Sequence, residues 1–352
     1  MKKYNAIGIN IYGGGFTLGV QRVFNVLGQW EEVTLGANTF ELNFKNIPRP
    51  LDIRLWPIKE FENKVDFVYA NPPCAPWSIA NNHAGKTVES RFVDARLSLT
   101  EHTMMTALKL KPKVFISESV EAAYNTGQSF YDNFKDVFMK SGYAVTYFLT
   151  DAVIHGSPSK RRRFHFVASK VKLDFKEPNM DNFKLNTVKD AIADLEKKIG
   201  SIKNHVERNV NPWYKKFMPL TPPGGRLCDV MNAENGCPAN APHASFLNKR
   251  LIWNAPSFTL VGVDYIHPSG TRFLTLREGM RLLTFPDSFV AAKTIDVIDT
   301  VEPLMGEFLA KIALAGIKRG INVKPYHKII DWRDLGKQFA VHKMKHLNKE
   351  NL

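Results

Sequence analysis

Val65–Ser78 reads VDFVYANPPCAPWS, an apolar β-prone run that stops at Asn-Pro-Pro and delivers Cys74 onto a turn. Val65, Phe67, Val68 and Tyr69 suit a short buried strand. Pro72 and Pro73 then end it, because each removes a backbone donor and fixes φ. The loop is therefore stiff, and it lies beyond the carboxyl end of the strand, where open α/β sheets bind ligands. A stiff loop there holds a thiol in attack geometry. A buried structural cysteine beside a proline turn accounts for the stretch equally well, since free cysteine is among the most buried residue types.

Working outward, the first 170 residues alternate apolar runs with longer helical patterns, which predicts a mostly parallel α/β sheet. The first strand, Ala6 to Tyr12, leads through Gly13-Gly14-Gly15-Phe16 into a helix expected from about Thr17 to Leu27. A glycine turn at that point lets backbone and helix N-terminus approach a cofactor. Neither the G-x-G-x-x-G spacing nor a phosphate-loop Gly-Lys-Ser/Thr is present, so a dinucleotide assignment is not warranted. Further strands are expected at Val114 to Ser117, Ala144 to Phe148 and Phe164 to Ala168, with a helix near Ser98 to Leu110.

From about Lys170 to Pro256 the pattern turns loop-rich, with Pro222-Pro223-Gly224-Gly225 at its centre. A second, smaller domain is expected there. Its Lys203, Arg208, Lys215, Lys216, Arg226, Lys249 and Arg250 alternate with Trp213, Tyr214 and Trp253, residue types that contact phosphates and stack bases. Solvated charges over core aromatics explain any one of them equally well. Cys228, Cys237 and His243 lack a paired Cys-x-x-Cys, so no metal is expected.

The whole chain has 352 residues, with 48 Lys plus Arg against 34 Asp plus Glu, a formal charge of +14. That balance, with the run Lys160-Arg161-Arg162-Arg163, points to a polyanion and favours nucleic acid. Three cysteines, no signal peptide and no bilayer-length apolar run give the expectation of a reduced, cytoplasmic protein with no membrane partner and no disulfides.

Taken in order, NPPCAPWS, FISESVEAAYNTG (Phe115 to Gly127), HGSPSKRRRFHFVAS (His155 to Ser169) and RFLTLREGMRLLTFPDSF (Arg272 to Phe289) resemble the signature blocks of DNA cytosine-5 methyltransferases, most of all the compact phage-encoded members. The resemblance covers most of the chain except the middle, where that family carries its target-recognition region. It implies a Rossmann-like, mostly parallel sheet of the S-adenosylmethionine-dependent methyltransferase type with a small loop-rich second domain. The expected division is a catalytic and cofactor-binding domain over 1–170, target recognition over 171–256, a return over 257–322 and a basic extension over 323–352, helical or frayed. The implied reaction is methyl transfer from S-adenosylmethionine to carbon 5 of a flipped-out cytosine in double-stranded DNA, through a covalent cysteine adduct and by a monomer.

The resemblance makes Cys74 the nucleophile, Glu118 the acid at the ring nitrogen, and Arg161 and Arg163 the paired arginines near the base and its phosphate. It assigns cofactor contacts to Tyr12, Gly13, Gly14, Gly15, Phe16, Glu32 at the ribose, Asp52 at the adenine, Asn71, Pro72, Gly306 and Glu307. Ser78, Ser119, Arg226, Lys249 and Arg250 are the substrate candidates. The chain departs from the family at the glycine block, at Gly306-Glu307 where Gly-Asn is usual, and at Ala75, Ser119 and Ser159. Methylation of cytosine in transfer RNA, or a catalytically silent DNA-binding protein, stay open as alternatives at this point.

Overall fold

The computed structural model describes residues 4–31, 34–49, 58–78, 88–179, 183–233 and 248–336. Seven strands, β1 (Asn5–Ile9), β2 (Asn25–Trp30), β3 (Phe67–Ala70), β4 (Val114–Val120), β5 (Ala144–Asp151), β6 (Arg162–Ser169) and β7 (His327–Asp331), form one sheet in the order β2-β1-β3-β4-β6-β5-β7. β6 runs antiparallel to both β4 and β5, and every other pair is parallel. The strand carrying the Asn-Pro-Pro-Cys loop is thus central, with parallel neighbours β1 and β4. Its residues Phe67–Ala70 are all fully buried, which is why the run is continuously apolar rather than alternating.

Each face of the sheet has its own core. Val68, Ala70, Phe115, Phe164 and Phe166 pack against helices Leu97–Leu110 and Glu121–Lys140. Phe67, Tyr69, Val114, Ile116 and Val167 pack with Phe16, Val20, Leu309 and Ala313, from helices Gly15–Val20 and Pro303–Arg319. Those two helices touch backbone to backbone. A Cβ on Gly19 would sit 2.3 Å from the Pro303 carbonyl oxygen, so only glycine fits.

Three expectations change. The helix expected over Thr17 to Leu27 stops at Val20, and Asn25–Trp30 becomes β2. Val20, Phe24 and Leu27 have helical spacing, but β1 needs a ladder partner on that side, and pairing overrides local periodicity. The C-terminal extension begins as an edge strand, β7, parallel to β5, rather than as a helix; its residues 337–352 lie outside the described residues. Position 256 does not divide two cores, because Val188, Ile192 and Leu195 share one with Leu260, Val263, Leu274, Met280 and Val297, joined by Phe40 and Phe44. A smaller cluster of Phe217, Met218, Leu227, Met231 and Ile266 supports the loop-rich part.

Candidate active site

Cys74 lies half-buried just past β3, at the carboxyl edge of the sheet. Trp77 and Ser78 both donate backbone N–H groups to the Cys74 carbonyl at 3.0 Å, closing the residues after the prolines into one tight turn. Trp77 anchors that turn: its ring is fully buried among Phe92, Phe130 and Tyr131 and lies flat against Gly127, where a Cβ would come within 2.9 Å of it. Trp77→Ala is expected to cost about 3–5 kcal/mol by opening a cavity and, by releasing the loop, to lower kcat well beyond any change in KM. Urea unfolding beside steady-state kinetics checks this, and an unchanged kcat in a destabilised variant shows that the anchor is only structural.

Alternation along β4 and β6 then selects which side chains meet. Glu118 pairs in register with His165, and Val120 with Arg163, so Glu118, Arg163 and His165 occupy one face. The Glu118 Oε1 lies 2.7 Å from Arg163 Nε, and its Oε2 accepts from Asn71 Nδ2 at 2.8 Å. Asn71 therefore ties the start of the Cys74 loop to the expected acid. Burial pushes the Cys74 thiol up to about 11, with Glu118 and Asp299 acting in the same direction and the Arg163 and Arg161 guanidiniums opposing.

Arg161 is also placed at this edge but acts differently from Arg163. Its guanidinium is buried and donates to the Ile298 and Thr300 carbonyls at 3.1 and 2.9 Å, stapling the segment before helix Pro303–Arg319 to the sheet. Burial and the neighbouring Arg163 lower it to about 10, so it stays charged at neutral pH. A cleft of about 590 Å³ opens beside Arg163, bordered by Ser78, Val120, Lys160, Thr259, Val261 and Arg333. Arg163 and Ser78 thus face a space of ligand size.

At the neighbouring edge, Tyr12 and the glycine block form the loop after β1. Tyr12 and Gly14 have φ of 59° and 94°, and the Ile11 and Tyr12 N–H groups both donate to Glu31 Oε1 at 2.7 and 3.1 Å. The family resemblance pointed to Glu32, which lies outside the described residues, as does Asp52. Glu31 is the acid at the end of β2, and the signal that identifies it is its place directly after Trp30, the last buried strand residue.

Glu31 Oε2 and Asn71 Oδ1 are buried and accept no hydrogen bond, although Arg49 approaches Glu31 Oε2 to 3.9 Å. Two free acceptors at the ends of β2 and β3, the strands on either side of β1, suit the hydroxyl and amino donors of a nucleoside. Burial raises Glu31 from the ordinary glutamate value of 4.5 to about 7. The folded chain therefore holds a proton that the unfolded chain has released between those values, and stability falls as pH rises from about 4.5 through about 7. Glu31→Gln should remove on the order of 3 kcal/mol of that dependence. Parallel urea-stability curves for the two proteins between about pH 5 and 8 would refute it.

Several expected contacts lie elsewhere. Phe16 is fully buried against Tyr69, inside the core below the loop. Gly306 packs on Phe16 in the helix pair, and Glu307 forms surface ion pairs with Arg22 and Lys311, each at 2.6 Å. Helix packing thus requires the glycine of the pair, and the glutamate that stands where Asn is usual is taken up by these ion pairs. Ser119 has the opposite parity to Glu118 and its neighbour is the Tyr131 hydroxyl on the far face. Arg250 donates Nε, Nη1 and Nη2 to the Pro268 and Thr221 carbonyls, and exposed Arg226 pairs with Asp229 at 2.6 Å. Lys249 sits over the Phe258 ring and Lys216 over the Phe217 and Trp213 rings, leaving these cations with the partly exposed Trp213 as the basic and aromatic surface of this region. Pro72 is buried beside Asn71.

The model of the C-5 cytosine-specific DNA methylases matches residues 6–307. The chain belongs to that family. It is an S-adenosylmethionine-dependent DNA cytosine-5 methyltransferase. A putative type II methyltransferase of Methanocaldococcus jannaschii is 26% identical over 324 residues, covering 85% of this chain and 95% of its own. The type II methyltransferase M.Eco47II of Escherichia coli is 26% identical over 315 residues, 82% of this chain and 72% of its own. In fold, the chain resembles a putative DNA modification methyltransferase encoded within an E. coli prophage, with a TM-score of 0.62, 21% identity and coverage of 90% and 99%. It also resembles a Spodoptera frugiperda DNMT2 mutant, with a TM-score of 0.60, 12% identity and coverage of 88% and 99%. β7 lies beyond the matched span. Among the described residues, no helix is long and apolar enough to cross a membrane.

Proposed function

We propose that this methyltransferase works through Cys74, Glu118, Asn71 and Arg163 as one unit, acting on a cytosine seated in the cleft beside Arg163. The observation that carries it is the Asn71–Glu118–Arg163 cluster directly behind the Cys74 loop. Cys74 Sγ adds as thiolate to carbon 6 of the ring, which makes carbon 5 nucleophilic. Glu118 hydrogen-bonds or protonates the ring nitrogen and so draws electron density away from carbon 6. Asn71 and Arg163 hold the Glu118 carboxyl in place, and the Arg163 charge favours the thiolate. Glu31, Asn71 and the Tyr12–Gly15 loop are the residues that hold S-adenosylmethionine, which when bound supplies an electrophilic methyl group. A stacked duplex exposes none of these ring atoms, so the base is flipped out.

The basic and aromatic surface of Lys215, Lys216, Trp213 and Lys249 is the target-recognition face, with cations on phosphate and the indole on base or sugar. Ser78 lines the base cleft. The enzyme acts as a monomer on an asymmetric contact and modifies cytosine within a defined DNA sequence, a reading supported by its similarity to type II methyltransferases. Nucleoside mass spectrometry of duplex DNA after incubation with protein and S-adenosylmethionine tests this directly, with transfer RNA as the parallel acceptor. Appearance of 5-methylcytosine in DNA supports the proposal. Methylation of transfer RNA alone, or of neither, overturns it.

A further inference from the structure

Behind Glu118, where β4, β5 and β6 meet the start of helix Pro303–Arg319, lies an internal cavity of about 10 Å³ lined by Glu118, Thr150, Arg161, His165 and Glu302 among others. That is about the room one water needs, and a buried water needs two to four polar partners. One oxygen of each lining carboxylate, Glu118 Oε1 and Glu302 Oε1, is buried and takes part in no hydrogen bond. Arg163 Nε lies close to the former without hydrogen-bond alignment. Glu302 is 1% exposed, and its other oxygen accepts from Ser157 Oγ at 3.0 Å. It occupies the N-cap position of its helix, yet its side chain caps nothing. The fold thus sets an acid against the cavity and uses only one of its oxygens, through Ser157, for local structure.

We propose that Glu302 is a positioning residue that stores a proton for Glu118 and exchanges it through one water in this cavity. The inference rests on the reaction proposed above. At rest Glu118 faces the Asn71 amide and the Arg163 guanidinium, surroundings that suit a carboxylate, whereas its role at the ring nitrogen calls for a proton. The Glu302 carboxyl passes its proton to the water, the water passes one to Glu118, and Glu118 gives it to the ring nitrogen. Negative charge then resides on Glu302, opposite Arg161. Return of the ring proton reverses the sequence, so protons and charge balance.

The surroundings fit that direction. Burial raises Glu302 to about 7, Asp151 adds to the rise, and Arg161, Ser157 and Arg163 oppose it. His155 and His165, on the same side, are both lowered to about 3 by burial and are neutral at physiological pH. Asp299, in the segment that Arg161 staples, is raised by burial. Glu302 is therefore a group in this cluster that changes charge near neutrality.

Kinetics of Glu302→Gln and Glu302→Asp across pH, with duplex DNA as acceptor, test the proposal. In the unaltered enzyme kcat/KM should climb with pH as the thiolate forms and bend toward level near pH 7, where Glu302 loses its proton. Glu302→Gln should lower kcat by on the order of 100-fold, lose the bend, and add nothing to the loss caused by Glu118→Gln. Glu302→Asp should keep a bend. A bend retained in Glu302→Gln, or losses that multiply in the double variant, overturns the proposal.

Infrared titration of the protonated-carboxyl stretch, run without substrate in a Glu31→Gln background, supplies a readout independent of catalysis and of whether the glutamine variant folds. A buried carboxyl band titrating near pH 7 is expected. Its absence overturns the proton store. If the unaltered enzyme methylates no DNA while the band titrates, the proposed reaction has failed and the protonated Glu302 stands.

Discussion

Cys74→Ala is expected to abolish methyl transfer while leaving DNA and cofactor binding intact, because the substitution removes the attacking sulfur and little else. The side chain is half-buried in a loop fixed by two prolines and by the Trp77 anchor, so loss of one sulfur should cost little stability. Cys74→Ser separates nucleophile from shape, since a hydroxyl fits the space but ionises far less readily than a thiol. It too should be inactive. The thiol itself is held up at about 11 by burial, so only a small fraction is thiolate at neutral pH in the free enzyme. Below that value each unit of pH multiplies the thiolate tenfold, and kcat/KM should rise with pH until another group limits it. Arg163 opposes the effect of burial, so Arg163→Met should push the thiol higher, lowering kcat/KM at a given pH and moving its rise to more alkaline pH without changing the slope. Methyl incorporation that persists in Cys74→Ala would remove the covalent mechanism altogether.

Glu118→Gln should lower kcat by about 10²- to 10⁴-fold, the usual weight of a general acid, with a much smaller change in KM. Glutamine keeps the volume and one acceptor oxygen, so the Asn71 contact at 2.8 Å survives, but the ion pair with Arg163 at 2.7 Å does not. That leaves the Arg163 guanidinium without its anion, where side chains are mostly removed from water. Arg163→Lys should therefore also be slow, because an ammonium keeps the charge but loses the planar fork. Because Glu118 and Arg163 touch, their losses should not add. A double variant as slow as the worse single one is the expected result of a cycle measured by single-turnover kinetics, and full multiplicativity would show that the two act independently.

The parts of this site that could be read from the sequence are those whose geometry is made locally. Two prolines after an apolar run fix a loop whatever surrounds it, so Cys74 was legible. Period-two alternation in β6 puts Arg163 and His165 on one side, and the register with β4 puts Glu118 there too. The same alternation sends Ser119 to the other face, a consequence the motif resemblance had hidden. Glu31 and Glu32 differ by one residue, and only the end of β2 against β1 chooses between them.

Other assignments depended on which distant segments meet. Gly306 matched a family position by order along the chain, but Gly19 and Phe16 claim its surface. Arg250 reads as a DNA cation and spends its donors on two carbonyls from Thr221 and Pro268. β7 closes the sheet beside β5 although its residues, HKIID, carry two charges and one histidine, because a free strand edge takes a partner that helix propensity alone does not anticipate. Glu302 lies 184 positions after Glu118 and meets the same cavity.

By itself, then, the sequence determined the α/β class and the stiff loop that carries Cys74, and the motif resemblance pointed to Glu118 and Arg163, since proline stiffness and strand alternation are properties of a few neighbouring residues. The tertiary structure alone decided that the Glu31 carboxylate is buried at the end of β2, that Arg250 spends its donors on backbone carbonyls, and that Glu302 and Glu118 line one cavity. Those facts depend on burial and on backbone carbonyls contributed from far along the chain, and a desolvated acid is made by its surroundings.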